Sequence, residues 1–407
     1  MGQSTYAPNV DTLCVRAGSR NGDGEPLVAP LIQSTTFCRS SVESDVTHAY
    51  SRVSNPTVAA LELTLGKLED APPAVCFSSG LAAETALFTA VLSAGTHVVC
   101  GQAVYGGTTR LLLDVLSRLG VETTFVDATQ ATAVRAAMRD NTRLVFAETP
   151  ANPTLELTDL AAVAAIAHEA GALLAADNTF MTPVLQQPLA CGAGVSVYST
   201  TKFVEGHSVA VGGALVSRDD ELLERLRFVR KSTGGIQTPM NAWLTLQGLK
   251  TLPLRIRRQS DTAAQVAAWL GGREDVSRVY YPSPVCGADA SLAERQHRGG
   301  HGAVVSFELR GGFQTARRFV QRLRLCRLVE HVGSVETLIT HPASMTHADV
   351  PLEQRRRVGI GDGLLRLSVG LEESEAIIDD LRRALAELSA GGAARIRKGG
   401  PLCPDVL

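Results

Sequence analysis

Between about residue 70 and residue 250 the sequence alternates short apolar runs with longer stretches of helical apolar spacing. Residues 74–77 read as a strand and 81–92 as a helix; 97–100 read as a strand and 108–119 as a helix. Strands over 122–126, 143–147, 173–177, 194–198 and 213–216 come next, with a helix over 160–170. Successive strands separated by a helix do not pair through a tight turn; they line up in parallel, with the helices packed on the faces. The predicted fold class is therefore α/β, a mostly parallel sheet covered on both sides.

The flanks read differently. Residues 1–55 are rich in Ser, Thr, Gly and Pro, have few periodic apolar positions and read as an extended arm. Asn55-Pro56-Thr57 is a helix start, continued by helical apolar spacing over 58–68. After Thr251, helical Arg/Ala/Leu segments alternate with a few strands (303–309, 364–369), which predicts a smaller α+β C-terminal domain. A chain of 407 residues holds two domains comfortably. The expected division is an arm over 1–55, a main domain over 56–250 and a C-terminal domain over 251–407, with 391–407 as a loose tail.

Several function classes lose support. A net charge of −2 signals neither nucleic acid nor an acidic membrane surface as partner. No apolar run reaches the ~18 residues of a membrane span, and the first ten residues lack a signal-peptide pattern. The eight cysteines form no C-x-x-C pair, which argues against zinc and redox motifs. Cys76 and Cys100 sit inside apolar runs, as buried free thiols do in a reducing cytoplasm. Neither G-x-G-x-x-G nor G-x-x-x-x-G-K-[ST] occurs.

The candidate chemistry centres on Lys202. An apolar run over 193–198 leads into Ser199, Thr200 and Thr201 and then this single lysine. A lysine at the end of a buried strand is badly solvated, which favours its neutral, nucleophilic form. Such an amine forms a Schiff base with a carbonyl, as lysines do with pyridoxal phosphate. The hydroxyls before it can hold a phosphate. The plainer alternative is a solvated lysine. Asp177 ends the preceding strand, where open α/β sheets bind ligands. It can pair with a protonated pyridine nitrogen, or simply cap the Asp-Asn-Thr turn that it begins. Ser78-Ser79-Gly80-Leu81 joins a strand to a helix, and such a helix start binds phosphate or is merely a turn. Tyr105, in Tyr105-Gly106-Gly107, can stack on a planar cofactor or lie half-buried at the surface. Arg366 is an arginine inside an apolar strand. It needs a partner, either a substrate carboxylate or a structural carboxylate.

These residues sit in segments that together resemble the pyridoxal-phosphate enzymes of cysteine and methionine metabolism: cystathionine γ-synthase, cystathionine γ-lyase, methionine γ-lyase and the homoserine-ester sulfhydrylases. The segments are Tyr50-Ser51-Arg52-Val53-Ser54-Asn55-Pro56-Thr57, Tyr105-Gly106-Gly107, Glu148-Thr149-Pro150-Ala151-Asn152-Pro153, Asp177-Asn178-Thr179-Phe180, Ser199-Thr200-Thr201-Lys202, Gly206-His207-Ser208, His341-Pro342-Ala343-Ser344-Met345-Thr346-His347 and Leu365-Arg366-Leu367-Ser368-Val369-Gly370. They run in order over nearly the whole chain.

The resemblance implies fold type I of the PLP-dependent transferases, with a seven-stranded sheet. It also implies a homotetramer built as a dimer of dimers, whose sites are shared across the dimer interface. Lys202 would be the Schiff-base lysine, Asp177 the pyridinium partner and Tyr105 the stacking ring. Ser79, the backbone of Gly80 and Leu81, Thr179 and the hydroxyls of Ser199 and Thr201 would surround the cofactor and its phosphate. Tyr50 and Arg52 would reach that phosphate from the neighbouring subunit, with Tyr50 also at the substrate. Asn152 and Arg366 would hold the α-carboxylate of an amino-acid substrate, with Glu330 and His331 at its distal part. Lys202 would move the α- and then a β-proton, with Tyr105 assisting at the leaving group.

Subfamily features are mixed. Glu330 matches an acid used by cystathionine-handling members, whereas Ala49 and His331 replace an acid and a serine found in them. Gly107 and Lys231 depart from the methionine γ-lyases, and Asn241-Ala242-Trp243-Leu244 looks like the sulfhydrylases. The expected activity is γ-replacement on an O-acylated homoserine with a sulfur nucleophile. The alternatives are γ-elimination on cystathionine or methionine, or replacement with a non-standard nucleophile or substrate.

Overall fold

The computed structural model describes residues 9–19, 22–283, 290–348, 350 and 352–390. The expected tail over 391–407, with Cys286 and Cys403, lies outside them. Seven strands form the main sheet: β1 (Val75–Phe77), β2 (His97–Gly101), β3 (Glu122–Val126), β4 (Thr142–Glu148), β5 (Leu173–Asp177), β6 (Val195–Tyr198) and β7 (Gly213–Val216). Their order is β1-β7-β6-β5-β4-β2-β3. Pairing is parallel from β3 through β6, and only β7 runs against the rest, antiparallel to both β6 and β1.

Side-chain alternation explains why this sheet is covered twice. Val98, Cys100, Leu144, Phe146 and Val197 point to one face, where they pack on Leu87 and Phe88 of helix Gly80–Val91 and on Leu222 and Leu226 of helix Asp220–Thr233. Val99, Val145, Leu174 and Ala176 point to the other and meet Val163, Ile166 and Ala167 of helix Leu160–Glu169. Central strands buried on both faces read as continuous apolar runs, which is why they were legible.

A second sheet holds β8 (Val276–Tyr280), β9 (Val304–Leu309), β10 (Arg327–Leu328), β11 (Leu338–Thr340) and β12 (Leu364–Ser368), in the order β10-β11-β12-β9-β8. It is antiparallel except for β10–β11. The 20-residue helix Leu252–Gly271 belongs to both cores. Leu252 and Ile256 pack with the main domain, whereas Ala263, Val266, Ala267 and Leu270 pack on the second sheet. The expected division at 250 thus falls at the start of a helix that joins the two layers.

Two expectations need correction. The arm is not extended throughout: Val10–Val15 is a helix, capped by Asn9 and tied by Asp11 to Arg257 at 2.7 Å. The expected helix over 108–119 is an α-helical turn (Gly106–Arg110), a π turn (Leu111–Val115) and a 3-10 turn (Leu116–Leu119). Gly120, with φ +82°, ends it in a left-handed conformation. No helix among the described residues is long and apolar enough to cross a membrane.

The edge strand β1 is fastened by a buried ion pair. Arg230 donates to Glu62 and, at 2.9 Å, to the Cys76 carbonyl, while Glu62 accepts from the Cys76 N–H at 2.9 Å. Removing one partner strands a buried charge. Arg230→Ala is expected to cost about 3 kcal/mol, read as a lowered urea midpoint with an unchanged slope.

Candidate active site

The carboxyl ends of β4, β5 and β6 open, with the start of helix Gly80–Val91, into one cavity of about 440 Å³. Ser79, Gly80 and Leu81 line it from that helix start, and Tyr105 lines it from the segment after β2. Asn152 follows β4, Asp177 and Thr179 end β5, and Ser199, Thr201 and Lys202 form the turn after β6. The second sheet adds Arg366 from β12, and the segment after β10 adds Glu330. A smaller cavity of about 140 Å³ shares Asn152 but holds none of Lys202, Asp177 or Arg366.

Each group is held in place. Ser79 accepts from the Ala82 N–H at 3.1 Å and so caps its helix. The first-turn N–H groups of Gly80 and Leu81 have no partner within the helix. A Cβ on Gly80 would lie 2.9 Å from Ser199 Cβ, so glycine lets the helix start close on the lysine-bearing turn. Thr179 donates its N–H to Asp177 Oδ1 at 2.8 Å and accepts from the Ser199 N–H at 2.8 Å, which couples the ends of β5 and β6. Thr201 exchanges two bonds of 3.0 Å with Gly212. Tyr105 leaves 41 % of its surface exposed, and Gly107 packs against its ring, where a Cβ would lie 2.4 Å from it.

Arg366 is buried and donates to Asn152 Oδ1 at 2.9 Å and to the His331 carbonyl and Thr340 Oγ1, both at 3.1 Å. Its Nε has no partner. Three of its five N–H donors are thus used, and an arginine with donors to spare in a cavity lining can receive an anion. Burial, with Arg366 nearby, lowers the Lys202 amine to about 8. Burial also raises Asp177 against its hydrogen bonds from Thr179.

Two further carboxylates belong to this site and had no role in the sequence reading. Glu148 lines the cavity, and burial followed by the Asp177 charge holds it well above the usual carboxylate range. Glu84 also lines it and is pushed to about 8 by burial and then by Asp177. Glu148 was findable: it ends β4 in register with Asp177, at the same kind of strand end. Glu84 sits in an apolar helix with no signal of its own.

His331 is outside the cavity lining, yet its Nδ1 is 3.2 Å from Lys202 Nζ. Tyr50 and Arg52 are also outside the lining. Tyr50 is exposed, and the Arg52 guanidinium lies 5.2 Å from its ring centroid and donates to the Lys231 carbonyl.

The profile of the Cys/Met metabolism PLP-dependent enzymes matches residues 11–386. The chain belongs to that family. It is 41% identical over 378 residues to a cystathionine gamma-lyase of Bacillus subtilis, covering 93% of this chain and 99% of the relative. It is 40% identical to an O-succinylhomoserine sulfhydrylase of Pseudomonas aeruginosa, covering 93% and 95%. A crystal structure of cystathionine gamma synthase from Xanthomonas oryzae, in complex with cystathionine, aligns with a TM-score of 0.91 at 39% identity, covering 94% of this chain and 99% of that one. Membership establishes fold type I and an enzyme dependent on pyridoxal phosphate. The donor set suits that cofactor: an amine of lowered proton affinity, a buried carboxylate, an exposed tyrosine in the cavity lining and a helix start that glycine lets close on the lysine-bearing turn. Five lysines occur in the sequence, and among the described residues only Lys202 lines the cavity.

Proposed function

We propose that this enzyme performs γ-replacement on an O-acylated homoserine, with cysteine or another small sulfur nucleophile. The observation that carries the reading is a pair of opposite charges in one cavity. Arg366 supplies a cation at one part, and Glu330 supplies an exposed carboxylate elsewhere in the lining. A cation receives the α-carboxylate of the first amino acid. A carboxylate receives the ammonium of a second one, which cysteine has and inorganic sulfide lacks.

Pyridoxal phosphate, when bound, supplies an electron sink that stabilises negative charge at the substrate's α-carbon. Lys202 would carry it, Asp177 would meet its ring nitrogen, and Tyr105 would face its ring. The helix start at Gly80 and Leu81, with Ser199 and Thr201, would hold its phosphate. The chain's own residues then do the positioning and the proton transfers. Arg366 and Asn152 fix the α-carboxylate. The Lys202 amine, freed by the incoming substrate, removes the α-proton and later a β-proton. An amine near 8 is partly neutral at physiological pH and can act as a base there. The Tyr105 hydroxyl delivers a proton to the carboxylate that departs as the Cγ–O bond breaks, or takes one from the entering thiol.

Elimination is the second reading. The same two charges would hold cystathionine as a substrate, and the lyase relative at 41% identity supports it. Products separate the two. Incubation with O-succinyl- or O-acetylhomoserine should give cystathionine by mass spectrometry only when L-cysteine is present. 2-Oxobutanoate at equal rates with and without cysteine would favour the lyase. Glu330→Gln should raise KM for cysteine about tenfold and leave KM for the ester nearly unchanged.

Assembly as a dimer of dimers in a reducing cytoplasm completes the reading. Tyr50 and Arg52 stand outside the lining of their own cavity, and Cys14, Cys76 and Cys100 are buried and unpaired. If the arm serves the neighbour, Arg52→Ala and Lys202→Ala chains, each impaired alone, should regain activity when refolded together. No recovery in verified mixed oligomers would remove Arg52 from its assigned place.

A further inference from the structure

The segment after β10 runs between β12 and the turn that carries Lys202. Three contacts pin it there. The His331 carbonyl accepts from Arg366 Nη2 at 3.1 Å. Gly333 donates its N–H to Ser368 Oγ at 2.8 Å. Gly333 also has φ +89°, and a Cβ on it would lie 2.7 Å from the Lys202 carbonyl carbon. The backbone therefore passes so close to the Lys202–Phe203 peptide that a side chain at 333 would clash with it, and glycine permits the approach. This contact fixes where the side chain two residues earlier can reach.

That side chain is an imidazole, with Nδ1 3.2 Å from Lys202 Nζ. Burial, then Lys202 and Arg366, lower His331 to about 4, so the ring is neutral at pH 7. An ammonium has no lone pair, so Lys202 donates and Nδ1 accepts. The ring proton is then on Nε2, which is buried and has no partner. An unpaired buried N–H is a cost that packing does not explain. The bond to the lysine is what the ring contributes.

We propose that His331 is a positioning residue for Lys202. Its Nδ1 accepts a hydrogen bond from the freed amine, while its main-chain carbonyl is tied to Arg366. One residue thereby connects the group that anchors the substrate carboxylate to the base that takes the substrate proton. The connection rests on Lys202 being the reactive amine, and not on whether the outcome is replacement or elimination.

The other charged and titratable groups around Lys202 do not supply this contact. Asp177, Glu148 and Glu84 share the cavity from the main domain, with Tyr105 and Arg110 from the segment after β2. Arg366 and Glu330 share it from the second sheet and its approach. Of all these and His331, only His331 has a hydrogen bond to the Lys202 amine.

The test reads the proton affinity of Lys202 directly. Full-length protein freed of cofactor is labelled with formaldehyde and cyanoborohydride over a pH series, and the Lys202 peptide is quantified by mass spectrometry. The wild-type midpoint is expected near 8. A neutral acceptor stabilises the ammonium, so its loss lowers the lysine's affinity for a proton. His331→Leu and His331→Ala should each shift the midpoint down by about half a pH unit or more. His331→Asn, which keeps an acceptor oxygen, should restore it. An unchanged or raised midpoint in His331→Leu would overturn the proposal, as would a lowered midpoint in His331→Asn equal to that of His331→Leu. Should the variants fail to fold, 15N histidine NMR of the wild-type chain decides: the proton on Nε2 supports the proposal, and on Nδ1 it overturns it. Labelling reads the amine whatever the loaded enzyme makes, so this outcome is independent of the product analysis.

Discussion

One buried carboxylate holds the site's pieces in register. Glu148 stands at the end of β4, opposite Asp177 on β5. Its Oε2 accepts the Tyr105 N–H at 2.7 Å, and its Oε1 accepts the Asn152 N–H at 3.0 Å. A single side chain therefore fixes the loop with the aromatic ring, the turn with the amide and their distance from the aspartate. A carboxylate in that position is expensive unless it is hydrogen-bonded and balanced by a cation. The two N–H donors meet the first condition; the second is not met, and burial with the Asp177 charge makes Glu148 hold its proton more tightly than an ordinary carboxyl.

The surrounding groups share that constraint. Burial pushes Glu84 up to about 8 and Lys202 down to about 8, so acid and amine converge on similar proton affinities. Four carboxyls, Glu84, Glu148, Asp177 and Glu330, share the cavity with three cations, Arg110, Lys202 and Arg366. A cationic ring nitrogen brought beside Asp177 would favour its ionised form.

The main sheet was legible because its central strands are buried on both faces and therefore read as unbroken apolar runs. Asp177 is legible because it closes such a run and Lys202 because it follows one after three hydroxyl residues, on strands that are neighbours. Glu148 escaped because its strand was read as ending one residue earlier, at Ala147. The helix over 108–119 was misread in kind: apolar spacing does not distinguish α from π or 3-10 turns, and the hydrogen-bond slip depends on packing. The helix Val10–Val15 has too few residues for periodicity to register. The contact between His331 and Lys202 joins residues 129 apart in sequence, and nothing local announces it.

Every role proposed for the cavity depends on Lys202 as the cofactor-bearing amine. The most direct test is to reduce the holoenzyme with borohydride, digest it and locate the pyridoxyl group by mass spectrometry. The pyridoxyl group is expected on the peptide that contains Lys202 and on no other. A pyridoxyl group on Lys67, Lys231, Lys250 or Lys398 instead, or none on protein that binds the cofactor stoichiometrically, would contradict that assignment.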